Sequence, residues 1–264
     1  PYGSSGDGTA ASVTALSRED ILAAHAATLA RDRITVAAVG DITPEDLGAL
    51  LDQLLGALPE TGAALPGPAP VALTGGTTLV PFPTPQAVIL FGHEGIPRED
   101  PDYFAAFILN EILGGERFGS RLMSELREKR GLTYGVSTWL ADYNQADLMA
   151  GQFATDAKTV PEAIRVLQTE WARAAEGVTE AELASAKTYL TGAYPLRFDG
   201  NGTIAQILVG MQSIGLSPDY VTTRNDKINA VTLDDITRVA KRLIRPDGLR
   251  IVVAGPPETQ LTTP

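Results

Sequence analysis

Arg127 and Tyr134 lie seven positions apart, the first near the end of an expected helix and the second at the start of the strand beyond it. A guanidinium keeps its charge at physiological pH and a phenol donates a hydrogen bond, so together they can hold a carbonyl oxygen and the oxyanion formed when that carbonyl is attacked. Preorganised donors of this kind are worth roughly 3 kcal/mol each. Spacing alone leaves a second reading open. Arg127, Lys129 and Arg130 can simply offset the negative end of a helix while Tyr134 packs at a strand edge.

Other chemistries are poorly served. Catalytic zinc usually takes three protein ligands at tight local spacing, whereas His25 and His93 are far apart and neither begins such a set. Both read as ordinary structural or surface residues, although His93-Glu94, at a strand end, could border a cleft. Ser120, Ser124 and Ser137 have no histidine partner nearby in sequence, and none lies in a G-x-S-x-G elbow. Gly114, Gly115 and Gly119 lack the Gly-Lys-Ser/Thr ending of a phosphate loop, so they read as a hinge or close-packed turn supporting the segment that carries Arg127.

Positioning the pair requires a helix, a reversal and a strand. The pattern predicts a helix from about 120 to 129, ended by Gly131 in a left-handed cap, with Tyr134 opening a strand over 134–140. Further strands are expected at 77–80, 86–92 and 146–155, and a helix at 103–113. Helical patterns occupy about 160–176, 180–193, 201–214 and 217–228, with Asn201 a cap for the third. This order predicts an α+β fold with helices packed on an antiparallel or mixed sheet, and no glycine fingerprint supports a dinucleotide fold.

Ser17-Arg18-Glu19-Asp20-Ile21 aligns without a gap onto Thr232-Leu233-Asp234-Asp235-Ile236, and at equal spacing Val36 to Gly40 aligns onto Ile251 to Gly255. Each copy reads as a capped helix followed by an apolar strand stopped by glycine. An internal repeat explains this economically; chance similarity of two generic helix-strand units is the alternative. A helix signalled by Thr43-Pro44-Glu45-Asp46 then leads into Pro59-Glu60-Thr61-Gly62 and Pro66, Pro68 and Pro70, a domain joint. The expected organisation is the C-terminal portion of a first domain at 1–58, a Pro/Gly-rich linker at 59–70 and a complete second domain at 71–264.

A chain of 264 residues with 44% hydrophobic content can fill a real core. A net charge of −11 argues against a nucleic-acid surface and favours basic or neutral partners. Cysteine is absent, which removes disulfides, thiol nucleophiles and thiolate metal sites. No apolar run approaches the ~20 residues needed to span a bilayer. The opening residues carry neither an initiator Met nor a signal-peptide pattern, so the chain is expected to be a fragment or processed product.

The run Leu126-Arg127-Glu128-Lys129-Arg130-Gly131-Leu132-Thr133-Tyr134 resembles the substrate-gripping segment of the family that includes pitrilysin, insulin-degrading enzyme and mitochondrial processing peptidase. Leu109 to Gly115 and Phe118-Gly119-Ser120-Arg121-Leu122 are similar to that family's helix, glycine turn and following helix. Lys187 to Gly192, Pro195 to Asp199 and Val231 to Gly255 are similar to its later elements. The family builds its site from two similar domains, one binding zinc through an inverted H-x-x-E-H helix and the other supplying an arginine and a tyrosine. This chain has the second set without the first.

The resemblance implies a pitrilysin-like metalloprotease domain in which Arg127 and Tyr134 touch substrate, with no metal of its own. Zinc is expected on a partner domain or subunit bearing H-x-x-E-H. The implied role is the substrate-binding half of a heteromeric zinc metallopeptidase, silent alone and acting on extended peptides once assembled. The similarity at Thr188 to Gly192 and Pro195 to Asp199 is to zinc-less subunits of bacterial pairs, which are often exported, so the resemblance favours a periplasmic over a cytoplasmic location without establishing either. A non-enzymatic scaffold or peptide-holding subunit is one alternative. The distal part of a single-chain peptidase whose zinc motif precedes residue 1 is another.

Overall fold

The computed structural model describes residues 5–115, 117–143 and 146–261. The elements begin with α1 (Ala10–Ala15), α2 (Arg18–Thr28) and α3 (Pro44–Leu55), followed by β1 (Gly76–Pro81), β2 (Ala87–Glu94) and α4 (Tyr103–Gly114). A π-helical stretch (Met123–Glu128) precedes β3 (Val136–Tyr143), β4 (Ala146–Thr155), α5 (Val160–Ala175) and α6 (Glu180–Ala193). Then come α7 (Asn201–Ser213), α8 (Tyr220–Ala230), α9 (Leu233–Leu243) and β5 (Arg250–Gly255). The described residues divide into two compact units, one drawn from 1–69 and 194–222, the other from 70–193 and 223–264.

The second unit holds a five-stranded sheet in the order β1-β5-β2-β4-β3. β1 and β5 run parallel and the remaining neighbours antiparallel, so the fold is the expected α+β arrangement on a mixed sheet. Strand side chains alternate between faces. Ile89 and Phe91 of β2, Met149 and Phe153 of β4, and Ile251 and Val253 of β5 enter the core. In α9, Ile236, Val239, Ala240 and Leu243 form the buried stripe expected of an amphipathic helix, and α4 contributes Ile108, Leu109, Ile112 and Leu113. Trp171 of α5 closes the layer edge-on to Phe91, ring centroids 5.6 Å apart. Val88 and Leu90 project from β2 on the opposite face and stay exposed.

Asn110 fixes α4 to β3: its side-chain amide donates to the Thr138 carbonyl at 3.2 Å, and the Thr138 hydroxyl donates back to the Asn110 carbonyl at 3.4 Å. A Cβ at Gly114 would lie 2.7 Å from the Thr138 side chain. Helix and strand therefore approach this closely only because Gly114 has no side chain.

In the first unit, α2 opens with a capping box of Ser17 and Asp20, the same device that Thr232 and Asp235 supply to α9. Thr43 caps α3, with Pro44 in its first turn. The strand expected over 36–40 is not formed. A strand is held by hydrogen bonds to a neighbour, and among the described residues every paired strand belongs to the second unit. Instead the Val36 carbonyl accepts a hydrogen bond from the Gln212 amide at 3.0 Å. The expected linker is partly folded: the Pro59 and Glu60 carbonyls accept from the Arg31 and Asp32 N–H groups at 2.9 and 3.1 Å. Residues 194–222 group with this unit, whereas the sequence reading ran 71–264 as one body. Asn201 is the first residue of α7 rather than its cap, because Gly200, at φ 80, takes the capping position.

Candidate functional site

The route from α4 to β3 is pinned at several points. Gly115 passes so close to Glu111 that a side chain there would strike its carboxylate, whereas Gly119 faces open space and nothing around it requires glycine. Arg121, at the head of the next helical stretch, grips Glu182 with two hydrogen bonds of 2.6 and 2.8 Å and donates to the Gly177 carbonyl at 3.1 Å. That guanidinium, helped by donors from Thr179, pulls the Glu182 carboxyl down to about 2.

Where the sequence pattern predicts an α-helix, residues Met123–Glu128 form a π-helix, and the Lys129 N–H reaches the Ser124 carbonyl at 3.0 Å. Gly131 then ends the helix with φ +62. Its N–H donates to the Arg127 carbonyl at 2.9 Å and the Leu132 N–H to the Leu126 carbonyl at 2.8 Å, each bond one residue wider than in a Schellman turn, as the π-helical stretch before it requires. Beyond it, the Thr155 hydroxyl donates to the Leu132 carbonyl at 2.6 Å, and the Thr133 hydroxyl donates to the Gly135 carbonyl at 2.9 Å. Tyr134 thus stands between two tethered neighbours while its own side chain is 89% exposed.

This backbone brings the two expected side chains together. The Arg127 guanidinium carbon lies 5.1 Å from the Tyr134 ring centroid and 4.9 Å from that of Phe118, within cation–π range of both. The neighbouring cations are engaged elsewhere. Lys129 and Arg130 both pair with Glu125, and their hydrogen bonds hold its carboxyl below the usual range. Among the described residues no carboxylate pairs with Arg127 and no acceptor takes a hydrogen bond from its guanidinium. Arg127 lies in the last turn of its helical stretch, where its charge also suits the negative helix end, and its donors stay uncommitted.

A cavity of about 520 Å³ opens on the sheet face that carries Val88, lined by Val88, Met123, Gly135, Ser137, Gln152 and Ala154 among others, none of them charged. Met123 lies four residues before Arg127 and Gly135 directly follows Tyr134, so the cavity reaches the chain next to the pair, although neither Arg127 nor Tyr134 lines it. Sequence reasoning missed this cavity, which forms only when β2, β3 and β4 are side by side. It also missed Phe118, a single aromatic after a glycine turn with no periodicity to mark it.

The histidines do not suit a metal. Among the described residues no group of three or more His, Cys, Asp or Glu side chains is placed to hold one. His25 is exposed on α2. His93 is 2% exposed and so does not border a cleft. Its ring centroid is 5.4 Å from that of Trp171, Nδ1 lies 2.7 Å from the Glu94 carbonyl oxygen, and Nε2 is buried without a partner. Burial pushes its pKa down.

Residues 15–190 match the family described as "Peptidase M16 inactive domain". An uncharacterized zinc protease of Streptomyces coelicolor is 28% identical over 254 residues, covering 90% of this chain and 53% of its own length. The beta subunit of the mitochondrial-processing peptidase of Saccharomyces cerevisiae is 26% identical over 244 residues, covering 85% of this chain and 52% of its own. This chain thus spans about half the length of these relatives. The crystal structure of a peptidase M16 inactive domain from Pseudomonas fluorescens superimposes with a TM-score of 0.86 at 32% identity, covering 100% of this chain and 63% of that one. The family match and the shared fold lead to one assignment: the chain belongs to the peptidase M16 family and corresponds to its inactive domain.

Proposed function

We propose that this chain is the substrate-binding, non-catalytic half of a two-part zinc peptidase, with Arg127 and Tyr134 holding the scissile carbonyl of an extended peptide. The observation that carries this reading is the Arg127 guanidinium, stacked beside the exposed Tyr134 ring with its donors uncommitted. Relatives named as zinc proteases and as a processing-peptidase subunit give the pair a reaction to serve. On this reading the metal sits on a second domain or subunit bearing H-x-x-E-H, and the role of this chain is to bind and orient. Residues 1–58 are, on the same reading, the closing part of a first domain of the same kind.

Arg127 supplies a fixed positive charge and hydrogen bonds to the carbonyl oxygen, and Tyr134 adds its phenolic O–H as negative charge builds there. The adjoining uncharged cavity would receive a neutral substrate side chain, narrowing the basic-or-neutral preference that net charge alone suggests. The test is cleavage of a quenched peptide by the full-length gene product, alone and mixed with an H-x-x-E-H protein encoded beside it. Activity confined to the mixture supports a substrate-gripping subunit. Activity alone assigns the metal site to the same polypeptide, and silence in both overturns the proposal.

A further inference from the structure

Phe118 is 62% exposed and contributes nothing to the core. Its one described interaction is with a cation: the Arg127 guanidinium carbon sits 4.9 Å from its ring centroid. The turn that bears it is anchored on both sides. Arg117 donates to the Ser185 hydroxyl at 2.7 Å and faces Glu111 at 3.6 Å. Three residues further along, Arg121 makes its paired contact with Glu182. The ring is therefore presented to Arg127 from a fixed support, and the guanidinium has an aromatic contact from Phe118 as well as from Tyr134.

We infer that Phe118 is a positioning residue for Arg127, restricting its guanidinium to the orientation in which its donors face the bound peptide. The inference rests on the proposed substrate-binding role of Arg127. A long flexible arginine loses considerable rotamer freedom when it binds a carbonyl. A ring that already confines it, without occupying its hydrogen-bond donors, leaves less of that cost to be met on binding. A carboxylate in the same place would confine Arg127 too, but would compete with the peptide oxygen for the same donors. An aromatic face avoids that competition, because it attracts the cation through the ring quadrupole. In the present structure the two roles are separated: Glu125 takes Lys129 and Arg130, and Phe118 takes Arg127.

The test is a double-mutant cycle on the full-length protein, read by fluorescence anisotropy with a labelled, uncharged, unfolded decapeptide as probe. Phe118→Leu should weaken binding about two- to fivefold, the range of an exposed cation–π contact. Phe118→Trp should restore it. In an Arg127→Ala background, Phe118→Leu should have no further effect. The Arg127 Nε–H proton resonance provides a readout independent of binding: its ring-current shift should shrink in Phe118→Leu and persist in Phe118→Trp. If Arg127→Ala weakens binding while Phe118→Leu has no effect, or an effect that simply adds to it, the positioning role is overturned and the proposed function stands. If Arg127→Ala leaves binding unchanged, the proposed function fails and this inference fails with it.

Discussion

The Arg127 guanidinium lies 5.1 Å from the centre of the Tyr134 ring even though a helix terminus and a reversal of the chain separate the two residues. The reversal is made by Gly131, and the contact depends on its geometry.

Arg127→Ala and Tyr134→Phe should each lower kcat/KM of the assembled peptidase by about 100-fold, the usual consequence of removing one preorganised donor. Stability should change little, because Tyr134 is almost fully exposed and Arg127 has no buried partner. Steady-state kinetics together with size-exclusion chromatography of the assembly check both points. Unchanged cleavage by both variants would remove the pair from the site.

Gly131→Ala should destabilise the second unit by about 1–2 kcal/mol, since φ +62 puts a Cβ in the left-handed region. Gly114→Ala should cost about 1–3 kcal/mol by forcing α4 away from Thr138. Gly119→Ala, which meets open space, should be close to neutral and serves as the control. Urea denaturation ranks the three, and a Gly119 variant as damaged as Gly114→Ala would contradict this account of the turn.

Arg121→Ala should cost about 1.5–3 kcal/mol, because it strips a closely hydrogen-bonded partner from the partly buried Glu182. The same pair gives an acid limit. The Glu182 carboxyl is lowered from 4.5 to about 2 in the folded state, so its stabilisation is complete above pH 4.5 and is lost as pH falls towards 2. Wild-type protein should therefore lose stability over that interval more steeply than Arg121→Ala. Parallel pH profiles of the two would dismiss the pair as a source of acid sensitivity.

His93 should make the fold acid-sensitive at milder pH. Its folded pKa lies below the ordinary 6.5, so the unfolded chain binds the proton more readily. The stabilisation is fully present above pH 6.5 and is lost as pH falls from there through the folded value. His93→Phe keeps an aromatic ring against Trp171 and removes the unpartnered Nε2, so it should flatten this part of the profile. Melting temperatures between pH 8 and 5 decide the matter, and identical slopes for the two proteins would count against His93.

Much of the fold was legible in the chain because its signals are local. The Thr43-Pro44 start of α3, the apolar run of β4 and the left-handed turn at Gly131 each depend on side chains within a few residues of one another. The unread features are relational. Nothing in Val36 to Gly40 reveals that no strand lies beside it, whereas the similar segment at Ile251 pairs on both sides. The π-helical turn is hidden because apolar spacing at Met123 and Leu126 suits an α-helix equally well. Within the candidate site, the closeness of Arg127 and Tyr134 was legible in the short segment that carries both. Phe118 gains meaning only from its contact across space.

The placement of β5 bears on how the molecule is made. β5 lies inside the sheet, with Gly76 of β1 opposite Arg250 and Leu90 of β2 opposite Val252. During synthesis, β2, β3 and β4 leave the ribosome with partners available, while β1 waits with both edges bare until residues 250–255 emerge. The contact order of the second unit is therefore high, and its sheet closes as a late, slow event. Until then β1 offers unpaired backbone to neighbouring nascent chains, a hazard for which chaperones exist.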